Sequence, residues 1–276
     1  METAMLDVPG ARLYHEIRGS GPVLLLIPGG PMDAGGFSAL AAQLEDRYTV
    51  VTYDCRGNSR SPHDGAVEEL TVELFAEDAR RLIEAVASEP SRVLGSSGGA
   101  LYSLELVARH PEAVRALVAH EPPVSTLLPD ADRWRALNLE IGEVSRTGGT
   151  FAAIQRFGEE TGLGGGAPPE DPTPEEQEAG ARMLGNLDLF AGQLIPVVGN
   201  YEPDVEALRA GGTPIAIGVG EASTEDQVPA RSARALAAEL GIEPVPFPGD
   251  HGGFSSHPEE FAATLVAAFA GLDGTD

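Results

Sequence analysis

The sequence predicts an α/β fold: a mainly parallel central sheet flanked by helices on both faces, with a helical insertion late in the chain. Three observations predict it. Short aliphatic runs such as GPVLLLIPGG and YTVVTYD lack polar alternation, the pattern of strands buried on both faces. Amphipathic stretches of helical period separate these runs. The rhythm breaks only from about Pro122 to Gly212, where helical segments follow one another without a buried strand run.

In chain order, MLDVPGARLYHEI reads as two short strands around a Val-Pro-Gly turn. The strand in GPVLLLIPGG follows, then the helix FSALAAQLEDRY and the strand YTVVTYD. TVELFAEDARRLIEAVAS is amphipathic, with Thr71 placed to cap its start. SRVLGSSGGALYSLELVARH is a strand, a glycine-pinched turn and a helix, and VRALVAHE is the next strand. The insertion contributes the helical segments DADRWRALNLEIGEVSR, FAAIQRFGEE and PEEQEAGARMLGNLDLF, with a Gly/Pro/acid-rich stretch at 163–173 that reads as a mobile loop. TPIAIGVG, PARSARALAAELG, EPVPFPG and HPEEFAATLVAAFAGL then restore the alternation. The expected division is one sheet domain, residues 1–121 and 213–276, interrupted by a helical cap, residues 122–212.

At 276 residues the chain can bury a substantial core. Its formal net charge of −25, with 18 arginines and no lysine, disfavours nucleic acid and anionic membranes as partners. No run is long and apolar enough to span a bilayer. The start METAMLDVPG lacks a signal-peptide pattern. With a single Cys55, expected to be a small buried hydrophobe, this points to a cytoplasmic protein without disulfides.

Chemistry is expected in loops beyond the C-terminal ends of strands. Gly95-Ser96-Ser97-Gly98-Gly99 fits G-x-S-x-G only with Ser97 at the centre, on a turn that lifts its Oγ above the sheet. Ser96 is then a small residue suited to the turn. Of the six histidines, His251 in FPGDHGGF follows the last strand and so stands where a base for Ser97 is needed. His120 should face away from its neighbour Glu121, because strand side chains alternate. Gly29-Gly30 follows another central strand; the Gly30 and Gly98 N–H groups are the candidate oxyanion hole.

IPGGP, YDCRGNSRS, GSSGG and GDHGGF, in this order, resemble the α/β-hydrolase-fold family with a helical cap. The resemblance covers the sheet domain and meets the cap in position only. It implies a Ser-His-acid triad, with the Asp54, Arg56, Gly57 and Ser61 loop supporting the site. Two departures stand out. Pro28-Gly29 replaces the usual His-Gly, and Ser223 occupies the position where most members carry the acid. Glu221, Glu225 or Asp226 could supply it from the same loop. Glu121, at the end of the preceding strand, resembles the placement in a subgroup of haloalkane dehalogenases and is preferred, with Asp226 its main rival.

These readings predict a serine hydrolase of ester, thioester or lactone bonds in a small organic molecule, with no metal or organic cofactor. Ser97 attacks, His251 serves as base and Glu121 orients it. A serine nucleophile argues against alkyl-halide and epoxide displacement. The same fold also hosts perhydrolases, C–C bond hydrolases and secondary-metabolite tailoring enzymes, and a ligand-binding pseudoenzyme would keep the same residues. Trp134, Phe151 and Phe157 are candidates to wall an apolar substrate pocket, though they would equally pack the cap's own helices. Monomer and homodimer both remain open.

Overall fold

The computed structural model describes residues 1–63, 70–163 and 174–274. The chain opens with β1 (Glu2–Val8) and β2 (Ala11–Arg18), a hairpin that turns at Pro9-Gly10, where Gly10 takes the positive φ of 75° that the turn requires. There follow β3 (Val23–Ile27), α1 (Ser38–Leu44), β4 (Thr49–Tyr53), α2 (Val72–Val86), β5 (Ser91–Ser96), α3 (Gly98–Arg109) and β6 (Val114–His120). Thr71 caps α2 as its sequence position suggests, its side chain accepting from the Leu74 N–H at 3.2 Å.

Helices fill the interval before the next strand: α4 (Ala131–Gly148), α5 (Thr150–Thr161), α6 (Pro174–Leu189), the short α7 (Ile195–Val198) and α8 (Val205–Ala210). Phe190–Leu194 joins α6 to α7 through a π-helical turn. β7 (Ile215–Gly220), α9 (Val228–Leu240), β8 (Val245–Phe247), α10 (Gly253–Ser256) and α11 (Pro258–Asp273) complete the chain. The expected loop at 163–173 falls, from 164 onward, outside the described residues. Among the described residues no helix is long and apolar enough to cross a membrane.

The eight strands form one sheet in the order β1-β2-β4-β3-β5-β6-β7-β8. β1 and β2 are antiparallel to their neighbours, and β3 through β8 run parallel. Alternation within each strand sends its side chains to two cores. Leu25, Ile27, Val93 and Leu117 pack with Phe75, Leu82 and Tyr102 of α2 and α3. Leu24, Leu26, Leu94 and Val118 pack with Leu40 of α1 and Phe261 and Leu265 of α11. Burial on both faces is why these strands read as continuous aliphatic runs.

The order of the strands also locates the site. From β3 the chain passes to β4 on one side, then returns to β5 on the other. At such a reversal the loops leave in opposite directions and open a crevice at the carboxyl ends of the strands. Gly29-Gly30 follows β3 and Ser97 follows β5, so both stand at that crevice.

Candidate active site

The turn between β5 and α3 is built on absent side chains. A Cβ on Gly95 would fall 2.1 Å from the Ser103 Oγ, and one on Gly99 would fall 2.1 Å from the Ile27 carbonyl oxygen. The helix therefore packs against the strand ends at a distance only glycine allows. Ser97 takes φ 55° and ψ −126° at the apex. That conformation is costly for a residue with a Cβ, and such strain concentrates at functional sites. Its N–H donates to the His120 carbonyl at 3.0 Å, tying the turn to the end of β6.

Glu121 sits immediately beyond β6, also at positive φ (45°), and is fully buried. Both of its oxygens are committed. Oε2 lies 2.7 Å from His251 Nδ1, and Oε1 accepts from the Gly220 N–H at 2.9 Å. Burial by itself would raise the pKa of this carboxyl; the hydrogen bond to His251, with help from His120, outweighs it and pulls the value down to about 2. The buried Ser223 hydroxyl has no hydrogen-bond partner among the described residues. The rivals of Glu121 point elsewhere: Glu225 pairs with Arg234 at 3.1 Å, and Glu221 and Asp226 are exposed.

Gly29, Gly30, Ser97, Gly98 and His251 all line one cavity of about 800 Å³. Neither the Gly30 nor the Gly98 N–H meets an acceptor among the described residues. Gly29 keeps them accessible, because a Cβ there would lie 2.5 Å from the Gly98 nitrogen. The structure thus assembles two unpaired amides, a strained serine and a carboxylate-bonded imidazole around one space, the set of groups that acyl transfer requires.

The rest of the wall is largely apolar, with Met32, Ile154, Leu187, Phe190, Ile195 and Phe254 among its members. Trp134 and Phe157 also line the cavity. Trp134 is at the same time part of the cluster with Leu137, Ile141 and Ile195, so it both packs the helices and walls the pocket. Phe151 is a correction: it is 74% exposed and lies outside the cavity. It sits in the first turn of α5, rotated by about 200° from the buried Ala153 at 100° per residue, and so faces solvent.

The loop after β4 is held by a set of polar contacts. Asp54 is buried and accepts from the Ala34 N–H at 2.9 Å and from the Arg60 guanidinium, linking the loops after β3 and β4. Arg56 forms a two-pronged pair with Asp78, and the Ser61 hydroxyl donates to the Asp54 carbonyl. Cys55 is buried, and burial pushes its thiol pKa well up.

Ser96 and His120 form a pair that the sequence does not reveal. Ser96 Oγ lies 3.2 Å from His120 Nδ1, a buried pair directly beneath the nucleophile turn. The His120 ring stands among Phe247, Phe254 and Phe261, with the His251 ring centroid 6.3 Å away. Burial lowers its pKa to about 4, so it is neutral at physiological pH. Each partner is next to a candidate triad member in sequence, Ser96 before Ser97 and His120 before Glu121. That adjacency is a signal only when the β5–β6 register, which pairs Ser96 with His120, is known.

Comparison with known proteins shows the family. Residues 22–144 match the family described as the alpha/beta hydrolase fold. A relative from Bacillus subtilis (strain 168), the uncharacterized hydrolase YraK, is 35% identical over 266 residues, spanning 94% of this chain and 93% of its own. The chain belongs to the α/β-hydrolase family. Zearalenone hydrolase of Bionectria ochroleuca is 27% identical over 271 residues, with 93% of each chain covered. Among solved structures, an alpha/beta hydrolase from Sphaerobacter thermophilus DSM 20745 is 25% identical, with a TM-score of 0.70 over 97% of this chain and 100% of that one. The family and these relatives make the protein a hydrolase.

Proposed function

We propose that this α/β hydrolase cleaves a carboxylic ester, thioester or lactone bond in a small organic molecule through an acyl-enzyme on Ser97. The observation that carries the proposal is the 2.7 Å contact between His251 Nδ1 and the ionised Glu121, at the wall of the cavity that Ser97 also lines. An acceptor at Nδ1 holds the ring proton there and leaves Nε2 as the basic nitrogen.

In this reading His251 takes the Ser97 proton as Oγ attacks the acyl carbon, and Glu121 stabilises the imidazolium that forms. The Gly30 and Gly98 N–H groups receive the oxyanion. His251 returns the proton to the leaving oxygen or sulfur, and the same base then activates water to release the acid. Residues 122–212 act as the cap, closing an apolar chamber over the sheet. The single buried cysteine and the acidic surface fit a cytoplasmic setting.

Labelling with a fluorophosphonate tests the nucleophile. Ser97 should be the modified residue, and p-nitrophenyl ester turnover should disappear in step with labelling. Folded protein that turns over esters with Ser97 unmodified would exclude the mechanism. Zearalenone belongs in the first substrate panel, given the relative named for it.

A further inference from the structure

The cavity around Ser97 has a defined electrostatic character. Of the side chains lining it, Glu159 is the one acid and His251 the one imidazole among the described residues. Every basic residue in this lysine-free chain other than histidine is an arginine, and no arginine lines the cavity. The residues outside the described segments, 64–69, 164–173 and 275–276, include no arginine either, so they cannot add a cation to the wall.

The arginines nearest in sequence to lining residues are already engaged: Arg135, beside Trp134, pairs with Glu202 at 2.9 Å, and Arg156, between Gln155 and Phe157, pairs with Glu140 at 2.9 Å. Arg133 lies over the Trp134 ring at 4.5 Å and pairs with Glu160 at 2.6 Å. Arg182 precedes Met183 but pairs with Asp33 at 2.6 Å, and Arg231, close to Pro229, pairs with Asp130 at 3.1 Å. Glu159 is exposed at the edge of the cavity, and the chain as a whole carries −25.

We propose that the substrate is uncharged on both sides of the scissile bond, and that the site rejects esters, thioesters and lactones bearing a carboxylate or phosphate. This rests on the hydrolase reading given above. An anionic substrate would be repelled by the surrounding potential. Inside, it would surrender its hydration to an apolar wall with no counter-ion. Hydrolysis then reverses the sign of the interaction. Water adds across the acyl bond, giving an alcohol or thiol and a carboxylic acid whose proton passes to solvent. The new carboxylate sits in a chamber that disfavours it, so the discrimination that admits a neutral ester also expels its acid product.

A matched pair tests this: methyl hexanoate and monomethyl adipate, equal in acyl chain length and differing by a terminal carboxylate. Trp134 is the only tryptophan and lines the cavity, so its fluorescence reports occupancy directly. In Ser97→Ala, which cannot turn over, methyl hexanoate should bind at least ~30-fold more tightly than monomethyl adipate. Wild-type protein should release methanol from the hexanoate with a correspondingly larger kcat/KM. Met183→Arg places a cation at a cavity position that is 44% exposed, and should narrow the hexanoate-to-adipate preference about tenfold. Equal or tighter binding of the adipate ester overturns the proposal, as does a tryptophan signal unmoved by either ester. Preferential binding of the hexanoate with cleavage of neither ester would uphold the charge selection and overturn the hydrolase reading instead.

Discussion

Glu121→Gln is the substitution that separates orientation from mere proximity at this site. Glutamine preserves the shape of the side chain but brings one acceptor and one donor, where Glu121 offers two acceptors, to His251 Nδ1 and to the Gly220 N–H. With the amide oxygen toward His251, the NH2 confronts the Gly220 N–H and leaves a buried donor unpaired, at about 1–3 kcal/mol. With the amide reversed, the NH2 demands a bare Nδ1, and the imidazole proton moves to the nitrogen that should act as base. The charge is lost in both cases. The depression of the Glu121 pKa from 4.5 to about 2 corresponds to about 3 kcal/mol of preference for the carboxylate here, or a factor of about 10² in rate if the imidazolium is stabilised to that extent. The wrong tautomer adds to this, so kcat should fall by about 10² to 10⁴ with a smaller change in KM. Steady-state kinetics on a p-nitrophenyl ester, with thermal unfolding of each variant as the control for folding, provides the assay. Asp226→Asn, at an exposed position, should stay within about threefold of wild type. A Glu121→Gln enzyme within tenfold of wild type, or an Asp226→Asn enzyme equally damaged, would refute the reasoning.

Gly29→Ala should lower kcat by about 10² or more if the Gly98 N–H is the oxyanion donor proposed above, because its Cβ would stand 2.5 Å from the Gly98 nitrogen; stopped-flow acylation measures it. Phe157→Ala should raise KM, since the ring lines the cavity and meets Phe190 at 5.5 Å, whereas Phe151→Ala should leave kcat/KM within about twofold. Stability should depend on pH through His120. Its folded pKa of about 4 lies below the ordinary 6.5, so the unfolded chain binds the extra proton between these values and stability falls as pH drops from about 6.5 to about 4, by about 3 kcal/mol in all. Glu121 acts in the same direction lower down: its contribution is complete above about 4.5 and is lost as pH falls toward about 2. Urea unfolding at pH 7, 5.5 and 4 should show the first loss, and His120→Gln should flatten it.

Much of this site was legible in the sequence because its determinants are local. Glycine spacing around Ser97 states a steric requirement that the turn must meet wherever it occurs, and the Cβ positions at Gly95 and Gly99 show why. The aliphatic runs of β3 and β5 announce burial on two faces, and the helical insertion announces itself by breaking their rhythm. The pairing of Glu121 with His251 could be suspected from Ser223 standing where an acid is usual, but the sequence left Asp226 in contention. Those two partners are 130 residues apart, and only the side-by-side placement of β6, β7 and β8 brings them to 2.7 Å. The same is true of the Ser96–His120 pair, which exists because β5 and β6 run parallel in that register. Phe151 and Phe157 look alike as letters; the phase and position of α5 against the sheet decide that one faces solvent and the other the cavity. Sequence by itself determined the strained turn, the alternation that builds the sheet and the absence of lysine. Which carboxylate meets the imidazole, which aromatics wall the chamber, and that no arginine lines it among the described residues were decided by long-range packing, because a contact between distant segments has no energy until the sheet has placed them side by side.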